Sequence, residues 1–379
     1  MKILIIHQFL WAHYKAAIFT EFQKLIDSDP GVESKVLQTA LFEEARIGFG
    51  EVDRSIHQYN YELLFEEVYE RVPTLTRFWK TLKRVVSFKP DVINLPGYYE
   101  PAMVMVQMCC RLIGIKVILS IDSTESDNTN VWYREAIKKF IIQQADGFFC
   151  YGTLAADYMI KLEAKPKQIL MRNNAVNNKV VRQIHDKTDI ELLKKKHGIK
   201  TDKNFIYIGR LMEIKNVVRL LEAYQQLNTN ECGLILVGEG EDKERILAFI
   251  TKHNLVNVYF ISAQPWQEVP KFMALSSVLV LPSYSEPWGL VVNEAMACGK
   301  AVIVSNKCGC ASDLVKHNEN GFVFDPFNVN QLRNNMDYFL QNPAQTIKFG
   351  IESEKIIAGY HPKVVAKEML LGFTKVCTK

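Results

Sequence analysis

Ser277–Ser305 reads SVLVLPSYSEPWGLVVNEAMACGKAVIVS. It opens on the apolar run SVLVLP, turns at Pro287 and Gly289, runs on as a helix-like stretch and closes on a second apolar run, AVIVS. Two continuously apolar runs joined by a helical stretch are the pattern of parallel strands buried on both faces, with a crossover helix between them. Two carboxylates, Glu286 and Glu294, lie on either side of the turn at the mouth of the apolar helix.

The same alternation extends outward in both directions. The first half contains KILII, SKVLQ, DVINL, KVILSI, GFFCY and QILM; the second adds NFIYIG, GLILVG and VYFIS to the two runs above. The stretches between them are long enough for crossover helices, so the expected fold class is α/β with two Rossmann-like doubly wound sheets. The polar, charged segment NNAVNNKVVRQIHDKTDIELLKKKHGIKTDK interrupts the rhythm and places a junction near residues 175–200. The expected domains are residues 1–180, residues 181–355, and a terminal helix over 356–379. Ligands of doubly wound sheets bind beyond the carboxyl ends of the strands.

Composition narrows the function. The chain has 379 residues, 48% hydrophobic, with a net charge of +4. That balance lacks the basic excess of a nucleic-acid binder. No apolar run reaches the roughly 18 residues a spanning helix needs. The opening MKILIIHQFL has no cleavage site after its apolar run and reads as a first strand. Eight cysteines show no framework spacing: Cys109 and Cys110 are adjacent, and Cys308-Gly-Cys310 stands alone. A zinc site needs paired clusters, so none is expected, and a reducing cytoplasm is the simplest setting.

Three strand ends in the second half carry suggestive loops. NFIYIG is followed by RLMEIKN, with Arg210 and Lys215; GLILVG leads into EGEDKERI, with Glu239 between Gly238 and Gly240; SVLVLP leads into the opening turn. In a parallel sheet these loops share one edge. Two cations, bare glycine backbone at 238, 240 and 289, and a helix start all suit a diphosphate. Carboxylates accept hydrogen bonds, and sugars present hydroxyl donors. Glu294 lies about 7–8 Å along the helix from Gly289 at 1.5 Å per residue. A diphosphate between two sugars, that is a nucleotide-sugar, matches cations flanked by carboxylates. Each residue taken singly has a plain alternative: Arg210 and Lys215 a solvated loop, Glu239 an acidic helix start, Glu286 a turn residue, Glu294 a solvated helix face. The three loops in order on one edge favour the ligand.

EPWGLVVNE resembles the Glu-(seven residues)-Glu signature of retaining glycosyltransferases of the GT-B fold. With LPSYS, YIGRLMEIKN and LVGEGED in the expected order, residues 203–325 resemble glycosyltransferase family 4, the group 1 glycosyl transferases; the first domain does so only loosely. The resemblance implies that Glu286 contacts donor-sugar hydroxyls, Glu294 the ribose, and Arg210 and Lys215 the diphosphate. Amides of Trp288, Gly289, Leu290 and Val291 complete the phosphate site, and the base lies near Phe260 and Ile261. It implies an acceptor-binding first domain, a cleft between the domains, and a terminal helix crossing back. The glycine-rich loop expected after the first strand is here HQFLWAHYKAAIF, without glycine, flanked by His7 and His13, which could meet the acceptor or a sugar hydroxyl. Asp122, in SIDSTESDNTN, is the candidate facing the reacting centre, with a turn-forming Asp equally compatible.

The resemblance implies a retaining hexosyltransferase using a nucleotide-sugar, a UDP-sugar, on a glycan or lipid-linked acceptor in cell-surface polysaccharide or lipopolysaccharide synthesis. No Asp-X-Asp motif is present, so a metal-independent reaction without further cofactor is expected. A same-fold phosphorylase or epimerase, and a non-catalytic nucleotide-sugar-binding subunit, fit the same residues. A dinucleotide oxidoreductase is denied by HQFLWA, which lacks Gly-X-Gly-X-X-Gly. The basic amphipathic stretch RFWKTLKRVVSF, Arg77–Phe88, fits packing on a sheet through Phe78, Leu82 and Val85, and also a peripheral contact with the inner face of the cytoplasmic membrane.

Overall fold

The computed structural model describes residues 1–46, 50–127, 131–227 and 232–378. The chain divides into two compact units, Met1–Val176 with His361–Lys379, and Asn177–Tyr360.

The first unit holds seven parallel strands: β1 (Lys2–Phe9), β2 (Glu33–Ala40), β3 (Tyr61–Leu63), β4 (Val92–Pro96), β5 (Lys116–Ile121), β6 (Gly147–Cys150) and β7 (Ile169–Arg172). Their order across the sheet is β3-β2-β1-β4-β5-β6-β7. The second unit holds β8 (Lys203–Ile208), β9 (Cys232–Val237), β10 (Val258–Ile261), β11 (Val278–Leu281), β12 (Ala301–Ser305) and β13 (Gly321–Phe324), in the order β10-β9-β8-β11-β12-β13. Each sheet starts in its middle, winds to one edge, then crosses back and winds to the other. The reversal falls between β1 and β4, and between β8 and β11. Loops leaving adjacent strands diverge there, which opens room for a ligand.

Continuous apolar runs become central strands because helices cover both faces. Every residue of β9, β11 and β12 is buried. β3 and β13 were not among the expected strands. Both are edge strands of three or four residues, too short to carry a periodic signal. The polar segment after residue 176 is also more structured than a linker. It forms the helices Asn178–Asp186 and Ile190–His197, whose first turns are capped by the Asn177 and Asp189 side chains.

The terminal helix Pro362–Cys377 packs in the first unit, where Phe373 lies 5.7 Å from Phe22 and 5.1 Å from Phe149, ring centre to ring centre. Gly372 allows the approach, since a Cβ there would sit 2.5 Å from Phe149. Burying a side chain of this size stabilises by about 1.5–3 kcal/mol, so Phe373, Met369 and Val365 fix this helix firmly. On helix Thr74–Phe88, Phe78 and Val85 face the core while Leu75, Trp79 and Val86 are exposed.

Candidate functional site

The site in the second unit is built on the switch between β8 and β11. The loop after β8 carries Lys215, and its ammonium lies 2.7 Å from the Glu286 carboxylate in the loop after β11. Both groups are largely buried. Asn216 holds the loops in place. Its φ of +60° is a left-handed conformation that Asn tolerates better than most residues. From there its side-chain amide donates to the carbonyls of Pro282 (3.0 Å) and Pro326 (3.1 Å). The Tyr284 N–H donates to the Ile214 carbonyl at 2.8 Å.

A second clamp comes from Cys308-Gly-Cys310. The Gly309 N–H donates to the Glu286 carbonyl (2.8 Å), and the Cys310 N–H to the Trp288 carbonyl (3.0 Å). A Cβ at Gly309 would lie 1.8 Å from the Pro287 carbonyl oxygen, so only glycine permits this approach. Both thiols are free and buried, and burial raises their pKa values. The motif that stood alone in the sequence is therefore a backbone staple under Glu286. Trp288 is a core residue, its indole N–H donating to Asn293 Oδ1 at 2.8 Å.

Gly289, at φ +97°, starts helix Leu290–Ala297, which has no side-chain cap. A Cβ at Gly289 would meet Leu281 at 2.8 Å and the Glu286 side chain at 3.4 Å. The first N–H groups of this helix, including those of Leu290 and Val291, lack intrahelical acceptors and carry the positive dipole end. Arg210 is half-buried and forms no ion pair among the described residues. It lies close enough that its charge, with that of Glu286, acts on the Tyr207 hydroxyl, which donates to the Arg210 carbonyl at 2.7 Å. Glu294 is half-buried without a hydrogen-bond or ion-pair partner among the described residues, and desolvation pushes its carboxyl up to about 7. The edge thus presents a free cation, a cation–carboxylate pair, an uncapped helix start and a second carboxylate.

The remaining expected residues are placed differently. Gly238 and Gly240 have a packing reason to be glycine: a Cβ would lie 2.0 Å from the Gly209 carbonyl oxygen and 2.2 Å from that of Leu211. Glu239 pairs with Lys243 at 2.9 Å, four residues on, and the hydrogen bond from Lys243 lowers its pKa. The Lys243 ammonium lies 5.2 Å from the centre of the half-buried Phe260 ring, and the buried Ile261 accepts from the Gly238 N–H at 2.9 Å.

In the first unit, His7 Nδ1 lies 2.9 Å from Gln38 Oε1, and the ring packs edge-on to Phe9 and Phe19. Burial lowers its pKa to about 4, and that of His13 to about 3, so both are neutral at pH 7. Asp122 is exposed directly after β5 and acts electrostatically on Lys15, Tyr14 and Tyr151. Residues 128–130 of the same loop lie outside the described residues. Among the described residues no cluster of His, Cys, Asp or Glu is arranged to hold a metal, and no helix is long and apolar enough to cross a membrane.

Residues 189–356 match the family model described as glycosyl transferases group 1. Over those residues the chain is similar to the glycosyl transferases group 1. It is 30% identical over 241 residues to the N-acetyl-alpha-D-glucosaminyl L-malate synthase of Bacillus anthracis, covering 62% of this chain and 61% of that one. It spans about half the length of two other curated relatives it matches. Over 320 residues it is 25% identical to the N-acetylgalactosamine-N,N'-diacetylbacillosaminyl-diphospho-undecaprenol 4-alpha-N-acetylgalactosaminyltransferase of Campylobacter jejuni, covering 81% of this chain and 78% of that one. The fold matches the crystal structure of Anabaena HepE in complex with UDP, with a TM-score of 0.77 at 17% identity, over 99% of this chain and 100% of that one. The two parallel sheets are those of the GT-B glycosyltransferases.

Proposed function

We propose that this protein is a retaining glycosyltransferase that moves a sugar from a nucleotide-sugar, a UDP-sugar, to a glycan or lipid-linked acceptor held by the first unit. The observation that carries the reading is the β8–β11 switch itself. Arg210 is left without a counter-ion among the described residues there, beside the Lys215–Glu286 pair. The uncapped helix Leu290–Ala297 starts three residues beyond Pro287 on the same loop.

In this reading Arg210, Lys215 and the first N–H groups of helix Leu290–Ala297 bind the donor diphosphate. They stabilise the charge that develops on it as the bond to the sugar breaks, as preorganised electrostatics in a dry site. The acceptor hydroxyl attacks from the face the diphosphate leaves. Its proton passes to the departing phosphate oxygen, so no protein nucleophile is required. Glu286 holds donor-sugar hydroxyls, and Lys215 fixes its position. Glu294 accepts from the ribose hydroxyls, and Phe260 and Ile261 border the base. Asp122, directly after β5, meets the acceptor in the first unit. The UDP held by Anabaena HepE supports the donor class, and the diphospho-undecaprenol substrate in the name of the Campylobacter relative supports a lipid-linked acceptor. Exposed Leu75, Trp79 and Val86 beside Lys83 on helix Thr74–Phe88 support a peripheral membrane contact.

The test is a panel of nucleotide-sugars, read by thermal stabilisation and by nucleotide release, with and without free phosphate. Stabilisation by one donor class and phosphate-independent release support the transferase. Release only with phosphate would make it a phosphorylase, and stabilisation without any turnover, with or without acceptor extracts, a binding subunit.

A further inference from the structure

The second unit has an opening at the other edge of its sheet. β8, β11 and β12 run parallel, and near their starts Phe205 and Ala301 both pair with Val278. Those starts form the amino edge, opposite the loops that carry Arg210, Lys215 and Glu286. A cleft of about 420 Å³ lies against them. Clefts of roughly 300–1,000 Å³ hold small organic ligands. The end of helix Val329–Gln341 and one side of helix Pro343–Ile357 form the facing wall. Gly350 seats the second helix against the turn before β12, since a Cβ there would lie 2.1 Å from the Gly299 carbonyl oxygen.

The lining has two characters. Phe205, Val278 and Phe339 are buried, whereas Ile347 is 68% and Ile351 51% exposed, so part of the apolar wall faces water. Beside it stand three cations, Arg182, Lys203 and Lys300. Arg182 is already committed: it pairs with Glu354 and, at 2.9 Å, with Asp186. Lys203 and the half-buried Lys300 form no side-chain hydrogen bond or ion pair among the described residues. The carboxylates whose fields reach Lys300 are the same Asp186 and Glu354, and burial outweighs them in lowering its pKa. Three cations against two carboxylates leave one positive charge unbalanced. An ammonium that loses water without gaining an acceptor favours an added anion. An apolar wall beside that ammonium suits a body attached to a singly charged head.

We propose that this cleft binds a small amphipathic monocarboxylate, its head on Lys300 and its apolar body along Phe339, Ile347 and Ile351. The proposal does not depend on the transferase reading, because no residue of the cleft belongs to the donor site. Cys298 and Lys300 follow helix Leu290–Ala297. The carboxylate therefore sits at the far end of the helix whose start is assigned to the donor diphosphate.

The test uses the full-length protein, with octanoate as probe and 1-octanol as its neutral counterpart. Both are titrated by saturation-transfer NMR, with and without saturating UDP. Wild type should bind octanoate saturably and at least tenfold more tightly than 1-octanol, and UDP should not displace it. Lys300→Met and Lys300→Gln should weaken octanoate binding at least tenfold and remove the preference over 1-octanol. Ile351→Glu, a change on the exposed wall that the fold tolerates, should weaken it as much. Absence of saturable octanoate binding to wild type overturns the proposal. So does binding that survives both Lys300 substitutions or the Ile351 substitution. Displacement of octanoate by UDP would assign the anion to the donor site and overturn the proposal as well.

Discussion

Lys215 Nζ lies 2.7 Å from Glu286 Oε2, so a cation from the loop after β8 and a carboxylate from the loop after β11 are each other's partner. The pair ties together the two loops that diverge at the switch of the second sheet. In the proposed donor site it also couples the two halves, Lys215 being assigned to the phosphate and Glu286 to the sugar. Arg210, by contrast, has no ion-pair partner among the described residues. The two cations should therefore behave differently on substitution.

Lys215→Ala leaves a largely buried carboxylate unpaired. Fully buried pairs lose about 3–5 kcal/mol when broken this way; the partial exposure of Glu286 should reduce this to about 1–3 kcal/mol. Urea denaturation should show that loss. The double variant Lys215→Ala/Glu286→Ala should be more stable than the two single losses added together. Strict additivity would deny the coupling.

Arg210→Ala should leave the denaturation midpoint unchanged, because no ion pair is lost. Turnover should fall more than tenfold, which is over about 1.4 kcal/mol of transition-state stabilisation. Kinetics and denaturation on the same preparation separate the two effects.

Glu294 predicts a pH dependence. Its carboxyl titrates at about 7 in the folded chain, against 4.5 for an unperturbed glutamate, because burial disfavours the charge. A raised folded pKa means the associated stability is fully present below pH 4.5 and lost as pH rises through 7. Hydroxyl donors from a ribose favour the ionised form. Calorimetric affinity for UDP should therefore rise from about pH 6 to about pH 8, and Glu294→Gln should flatten the part of that rise not due to UDP itself.

Gly309→Ala places a methyl group 1.8 Å from the Pro287 carbonyl oxygen, so the staple beneath Glu286 must open. A loss of roughly 2 kcal/mol or more in stability is expected, in the range of forced overpacking. Nucleotide affinity should fall with it. Unchanged affinity in a folded Gly309→Ala protein would show that the staple does not position the site.

Leu75→Glu/Trp79→Glu should reduce co-sedimentation with phosphatidylglycerol vesicles while leaving nucleotide release from the donor unchanged. Both side chains are exposed and remote from the β8–β11 loops in sequence. Equal sedimentation of variant and wild type would remove the membrane contact.

The central strands were legible because burial on both faces demands continuous apolar runs, and those runs survive in the sequence. β3 and β13 were not, since an edge strand such as Tyr61–Leu63 needs little apolar content. The loops of the candidate site were legible through their charged and glycine residues, but their supports were not. Asn216 acts through a left-handed backbone and two carbonyls distant in sequence, and Cys308-Gly-Cys310 through backbone contacts. Neither leaves a local pattern. The reasons for Gly238 and Gly240 also changed, because the carbonyls of Gly209 and Leu211 occupy the space a side chain would need.

The most direct test of the central claim is a calorimetric titration of UDP into the wild-type chain and into Arg210→Ala at one pH and salt concentration. The account predicts saturable binding to wild type and at least tenfold weaker binding to the variant, with both proteins equally folded. Absence of binding to wild type, or equal affinities for the two, would contradict it.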